Sequence, residues 1–263
     1  MKLFLTLCIG IFTVICNAQE QYQDIVINNQ IVSEGSRECS VRYEALKPLL
    51  NKFKRSFTVL DIGASQGFFS FKIAAEYPNA VAVMIEGNYD TTWNVAQQLL
   101  DLCQKNTLLH NIIFLQKHIT IEDLIQLGKT EHFDVVLAFN IIHHFKESWR
   151  KAADAIFTLG DHIIIETPPS NDKVFANNKQ IKELEKYLTQ KNGTIIAQTP
   201  RHTDPTALAP MIHFELQKKF ISHKHWFFGT PADGISIVYE ILSDFKQKIF
   251  KKTKPKFTRI RSL

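Results

Sequence analysis

The stretch Val59-Leu60-Asp61-Ile62-Gly63-Ala64-Ser65-Gln66-Gly67 closes a short apolar run with two glycines four positions apart. A glycine just past a strand permits a tight turn and lets backbone come close to a ligand. Gly67 lets a following helix start hard against that ligand. Glu86 stands twenty-five positions after Asp61, at the end of the next apolar run. A carboxylate there can accept both hydroxyls of a ribose. A dinucleotide turn requires Gly-x-Gly-x-x-Gly, whose three places here hold Gly63, Ser65 and Phe68. Two of the three fail, which points away from a nicotinamide dinucleotide.

Other residues could also do chemistry. His143 and His144 follow a fourth apolar run, after Asn140. They could serve as a base, cap the next helix or simply pack. Asn140 could contact a ligand or only make a turn. His223-Lys224-His225-Trp226 has metal-ligand residue types, but nothing supplies a third ligand at telling spacing, so no metal site is expected. Neither a Gly-x-Ser-x-Gly nucleophile turn nor a P-loop occurs. A Pro-Cys dipeptide and a Pro-Pro-aromatic pattern after Asn140 are both missing.

The elements that must position these residues alternate. Helical spacing covers 41–54, with Pro48 inside it, and the first strand is Phe57 to Gly63. A helix is predicted over Gln66–Tyr77, a strand over Ala80–Glu86, and a helix over Tyr89–Gln104 capped by Asp90 or Thr91. Strands follow at Asn111–Lys117, Phe133–Phe139 and Asp161–Glu166, with a short helix near 121–128 and another at Lys146–Gly160. A helix over Asn178–Gln190 precedes two strands, TIIAQT and MIHFELQ, with no helix between them. Strands alternating with helices mean a parallel sheet covered on both faces. The last pair fits an antiparallel edge hairpin.

With these residues in view, the sequence resembles the class I S-adenosylmethionine-dependent methyltransferases. The resemblance rests on four segments in order: DIGASQG, VMIEGN, FDVVLAFNIIHHF and GDHIIIETPP. It spans roughly residues 40–220. It implies an α/β fold of three αβα layers, Rossmann-like, on a mainly parallel seven-stranded sheet with an antiparallel edge hairpin. It implies S-adenosyl-L-methionine as cofactor, bound through Asp61, Gly63, Ala64, Ser65, Gly67, Phe68, Glu86, Gly87, His118, Ile119 and Asn140. His143 and His144 become the candidate catalytic residues. The family often has glycine where Ser65 stands. It often has an acid after the third strand, where this chain has Gln116-Lys117-His118-Ile119. The implied acceptor is an oxygen or nitrogen of a small molecule or glycan, in a pocket built from residues 19–45 and 168–235. A non-catalytic binding protein of the same fold, docking a partner through a basic tail, is the alternative. An aminopropyl transferase would place acids after the fourth strand, where Asn140 stands.

The ends of the chain are separate objects. Residues 1–18 read as a signal peptide or membrane anchor: Lys2, then fourteen mostly apolar residues from Leu3 to Cys16, then Asn17 and Ala18. An exported or periplasmic location follows, or membrane association through the N-terminus; without a signal the chain would be cytosolic. Residues 19–55 form a lead-in, 56–220 the methyltransferase domain, 221–245 an extension and 246–263 a basic tail. The whole-chain net charge of +5 is misleading, because the tail holds eight lysines and arginines and no acid. Any anionic surface would meet the tail. No specific nucleic-acid motif accompanies it. Outside the first segment only Cys39 and Cys103 remain, in no metal-ligand spacing, and two free buried thiols are expected. The composition, 45% hydrophobic and 22% charged with 4 Cys, excludes a disordered chain and a disulfide scaffold.

Overall fold

The computed structural model describes residues 21–87, 94–175, 178–201, 203–216 and the backbone of 257–258. The signal segment, the Asp90 or Thr91 cap, the His223–Trp226 cluster and most of the basic tail lie outside the described residues. Among the described residues, no helix is long and apolar enough to cross a membrane.

The chain opens on a hairpin, β1 (Ile25–Ile27) and β2 (Gln30–Ser33), which periodicity had not revealed. Its two-residue turn is Asn28-Asn29, with φ of 49° and 68°. Both central residues need left-handed backbone in such a turn, and asparagine tolerates it. Then come α1 (Cys39–Leu50), β3 (Phe57–Ile62), α2 (Phe68–Glu76), β4 (Ala80–Glu86), α3 (Val95–Lys105), β5 (Ile112–Gln116) and α4 (Ile121–Thr130). The second half runs β6 (Phe133–Phe139), a 3-10 helix (Ile142–Ser148), α5 (Trp149–Ile156), β7 (Gly160–Glu166), α6 (Lys179–Thr189), β8 (Thr194–Pro200), β9 (Leu208–Glu215) and β10 (Phe257–Thr258).

The main sheet has the order β10-β5-β4-β3-β6-β7-β9-β8. The five strands from β5 to β7 are parallel, and β9 and β8 form the expected antiparallel edge. The seven expected strands are present. Phe257–Thr258, read from sequence as part of the tail, adds an eighth against β5. The predicted helix over Lys146–Gly160 is corrected to α5 alone, because residues 142–148 wind more tightly as the 3-10 turn.

Two hydrophobic cores lie on opposite faces of the sheet. One packs α1, α2 and α3; the other packs α4, α5 and α6. Alternation along each strand decides which face a residue joins. Val59 and Met84 join the first core and Leu60 and Ile85 the second. By the same alternation Asp61, Glu86, Gln116 and Glu166 turn toward the α1–α3 side, all at the carboxyl ends of parallel strands. Cys39 and Cys103 are both free and buried, as expected. Burial pushes their thiols up to about 11 and about 12.

Candidate functional site

In open α/β sheets, ligands bind outside the carboxyl ends of strands, where the strand order reverses. That point lies here between β3 and β6. The turn after β3 carries Gly63 at φ +73° and Gly67 at φ +78°. A Cβ on Gly63 would stand 3.0 Å from the Ile141 side chain, so the turns after β3 and β6 touch. Ser65, at φ 54°, adopts the left-handed backbone that explains why a glycine is common at its place.

Glu86 locks this turn to β4. One carboxylate oxygen accepts the Ser65 N–H at 2.7 Å, and the other accepts the Gly87 N–H at 2.8 Å. Glu86 is 4% exposed. Burial pushes its carboxyl up to about 7, against the two N–H donors, with a smaller upward push from Asp61. Asp61 accepts from the Ser70 hydroxyl at 2.8 Å, and burial raises it to about 7 as well. Gly87 is needed for close approach: a Cβ there would lie 2.4 Å from the His118 backbone nitrogen. That contact draws the loop after β5 against the end of β4.

His118 and Ile119 line a pocket of about 250 Å³ with Glu122, His144, Phe145 and Ser148. That is below the roughly 300–1,000 Å³ of a drug-sized ligand site, so it suits one end of a nucleoside rather than all of it. Gln116, level with Glu86 in the sheet register, keeps a buried Oε1 with no hydrogen-bond partner. An adenosyl group fits this set. Glu86 has lone pairs left for ribose hydroxyls, Gln116 offers a buried acceptor, and the glycine turn leaves room for close backbone contact.

Sequence reasoning placed Asp61, Gly63, Ala64, Ser65, Gly67, Glu86 and Gly87 together, and the structure brings them together. Phe68 is corrected. Its ring is 1% exposed and packs on Phe69 and Tyr43, so the side chain belongs to the core. Only its N–H faces outward from the helix start, and Gln23 Oε1 accepts it at 3.2 Å. Gln23 in turn donates its N–H to Gln66 Oε1. The segment before β1 therefore lies over the glycine turn, which no local pattern signalled.

Asn140, at φ 54°, sits on the other side of the crevice. Its N–H donates to the Glu166 carbonyl at 2.7 Å, and its Oδ1 accepts from Arg201 at 2.9 Å. Its Nδ2 lies 3.4 Å from the Tyr22 hydroxyl. Glu166, fully buried, pairs with both Arg37 and Arg42. Arg201 pairs with Asp172 at 3.2 Å. Tyr22, Arg37, Arg42 and Arg201 thus gather around Asn140 and Glu166. Arg37, Arg42 and Arg201 were missed individually, because their partners lie far away in sequence.

His143 and His144 sit in the 3-10 helix with ring centroids 4.2 Å apart. Burial, then His144 and Arg201, push His143 down to about 3. His144 is lowered by burial and by His118. Both rings are therefore neutral near pH 7, and His143 is a very weak base.

No family model matches the sequence, and no curated protein matches it. Solved structures do match. The bifunctional kinase-methyltransferase WbdD aligns at 19% identity and a TM-score of 0.61, over 76% of this chain and 44% of that one. The chain therefore spans less than half the length of that structure. The N-terminal domain of EvdMO1, solved in the presence of SAH and D-fucose, aligns at 13% identity and a TM-score of 0.50. That match covers 75% of this chain and 91% of that domain. Strand order, glycine turn, strand-end carboxylates and these likenesses agree: the chain has the Rossmann-like fold of the class I S-adenosylmethionine-dependent methyltransferases.

Proposed function

We propose that the chain is an S-adenosylmethionine-dependent methyltransferase acting on an oxygen or nitrogen of a small molecule or glycan. The observation that carries this reading is the Glu86 carboxylate, tied to the Ser65 and Gly87 N–H groups beside the left-handed Gly63 turn. The likeness to a kinase-methyltransferase and to a domain solved with SAH and D-fucose supports both the cofactor and a glycan-like acceptor.

When bound, the cofactor supplies a methyl group on an electrophilic sulfonium. The chain's own part is binding and orientation. Glu86 takes the ribose hydroxyls, Gly63 and Ala64 present backbone to the methionine portion, and His118 and Ile119 flank the base. Asn140 and the arginines beside it face the acceptor. Holding two reactants at attack distance can contribute up to roughly 7–11 kcal/mol. A base is required only for an acceptor that must lose a proton.

Calorimetric titration with S-adenosylmethionine tests the reading. Wild-type chain should bind. Glu86→Ala and Gly63→Val should each weaken binding by about tenfold or more, the worth of hydrogen bonds to a charged group or of a forced turn. No heat at millimolar cofactor, with folded protein, would overturn the proposal. Unchanged affinity in both variants would place the nucleoside elsewhere.

A further inference from the structure

His162 on β7 and His213 on β9 meet at the end of the sheet opposite the glycine turn. His162 stands near the start of β7, whereas the crevice lies past the carboxyl ends of the parallel strands. The two histidines are fifty-one positions apart, so no spacing along the chain signals them. Across the strands His162 pairs with Glu215 and Ile164 with His213, which makes the histidines diagonal neighbours. Alternation puts both on one face, with Glu215 beside them. That face carries Ile164 of the α1–α3 core, and the Phe53 ring stands nearly perpendicular to His162 at 5.8 Å. His162 Nδ1 lies 3.1 Å from His213 Nε2, and both residues are half-buried rather than enclosed. Burial holds both imidazoles below their ordinary range, with a further downward push from His162 on His213. The charged groups acting on His162 are Glu215, Asp161, Asp134 and Lys52, and those on His213 are Glu215 and Lys52. Three acids thus face one lysine. A hydrogen bond between two neutral rings uses one N–H and one lone pair. The same placement also lets two lone pairs converge on an ion. Imidazole nitrogens bind zinc at about 2.0–2.1 Å, and two such bonds at roughly 90–110° hold the nitrogens about 2.9–3.4 Å apart. The observed 3.1 Å falls within that span. Strand pairing fixes both rings beforehand, so little ordering remains to be done on binding.

We propose that His162 and His213 form a two-histidine site for a divalent first-row transition metal, Zn²⁺ or Cu²⁺, at the junction of β7 and β9. Each nitrogen gives a lone pair to the ion. The ring that donated the shared hydrogen carries it on its other nitrogen instead, so no proton is released. Among the described residues no group of three ligands is gathered for a metal, so water fills the remaining positions. Glu215 contributes negative charge beside the pair. The ion ties the antiparallel edge of the sheet to its last parallel strand. This site lies apart from the cofactor crevice and does not depend on the methyltransferase reading.

The test is metal binding by the full chain, prepared without a histidine tag. His223 and His225 are a second closely spaced pair in the sequence, so the background chain carries His223→Gln and His225→Gln. Titration of that chain with zinc chloride, read by calorimetry, should show one ion bound, and zinc should raise the melting temperature. His162→Gln and His213→Gln should each weaken the binding by roughly tenfold or more, because each leaves a single imidazole where two acted together. Cupric chloride should bind more tightly than zinc chloride. The electron paramagnetic resonance spectrum of bound copper should show coupling to two nitrogens. That spectrum needs no substitution at 162 or 213, so it decides the matter even where either variant folds poorly. Absence of zinc and copper binding in the background chain would overturn the proposal. So would zinc affinity that survives both substitutions unchanged, or a copper spectrum with fewer than two nitrogens. None of these results bears on cofactor binding, which is measured separately with S-adenosylmethionine.

Discussion

Asp61 and Glu86 are buried carboxyls whose ordinary values near 4 are pushed up to about 7. The sign of the consequence follows from which state holds the proton. Between about pH 4 and pH 7 the folded chain retains protons that the unfolded chain has released, so stability falls as pH rises through that window. We expect melting temperature to decline from pH 4 to 7 on account of these two groups, and Asp61→Asn to remove part of the slope. Ribose hydroxyls need the ionised carboxylate as acceptor. Affinity for S-adenosylhomocysteine should therefore rise as pH passes 7, and Glu86→Gln should flatten that rise; a pH-independent affinity in wild type would contradict the assignment. Asp61, Gly63, Gly67 and Glu86 were legible in the sequence because their roles depend on local spacing along a strand and its turn. Gln116 was not, since an orphaned Oε1 only exists once β4 and β5 are in register. Arg37 and Glu166 stand 129 positions apart, and no local pattern connects them.

Elements were legible where one physical signal dominated. The apolar runs Ala80–Glu86 and Phe133–Phe139 are β4 and β6 as read. The hairpin of β1 and β2 was missed because all four residues of β2 are exposed, which removes the apolar alternation. Its anchor is long-range: buried Asn106 donates to the Val26 carbonyl at 2.9 Å and accepts the Asn28 N–H at 2.8 Å. Two predictions belong to this scale. Thr120 caps α4 in a reciprocal box with Asp123, so Thr120→Ala should cost about 1 kcal/mol in denaturant titration. Gly87→Ala should do something different. Its Cβ would collide with the His118 backbone, so the loops after β4 and β5 must part, and nucleoside affinity should fall more than stability.

For the whole molecule, Glu166 ties α1 to β7 and, through its carbonyl, to Asn140 after β6. Glu166→Gln leaves two buried guanidiniums without their carboxylate, and breaking a buried pair in this way costs roughly 3–5 kcal/mol. Urea unfolding should show that loss; a change under about 1 kcal/mol, the worth of an exposed pair, would mean the network is not buried in solution. The alternation of strands and helices made the layered fold and the β9–β8 edge readable in advance. The N-terminal segment that covers the glycine turn was unreadable, because Gln23 reaches Gln66 and Phe68 only through the folded chain. On the reading proposed above, one crevice, between the turns after β3 and β6, holds the cofactor. The most direct measurement is a crystal structure with S-adenosylhomocysteine. It should show ribose hydroxyls on Glu86, the base between His118–Ile119 and His144–Phe145, and the amino-acid end against Gly63 and Ala64. A nucleoside bound away from Glu86, or a crystal at saturating ligand with none in this crevice, would contradict it.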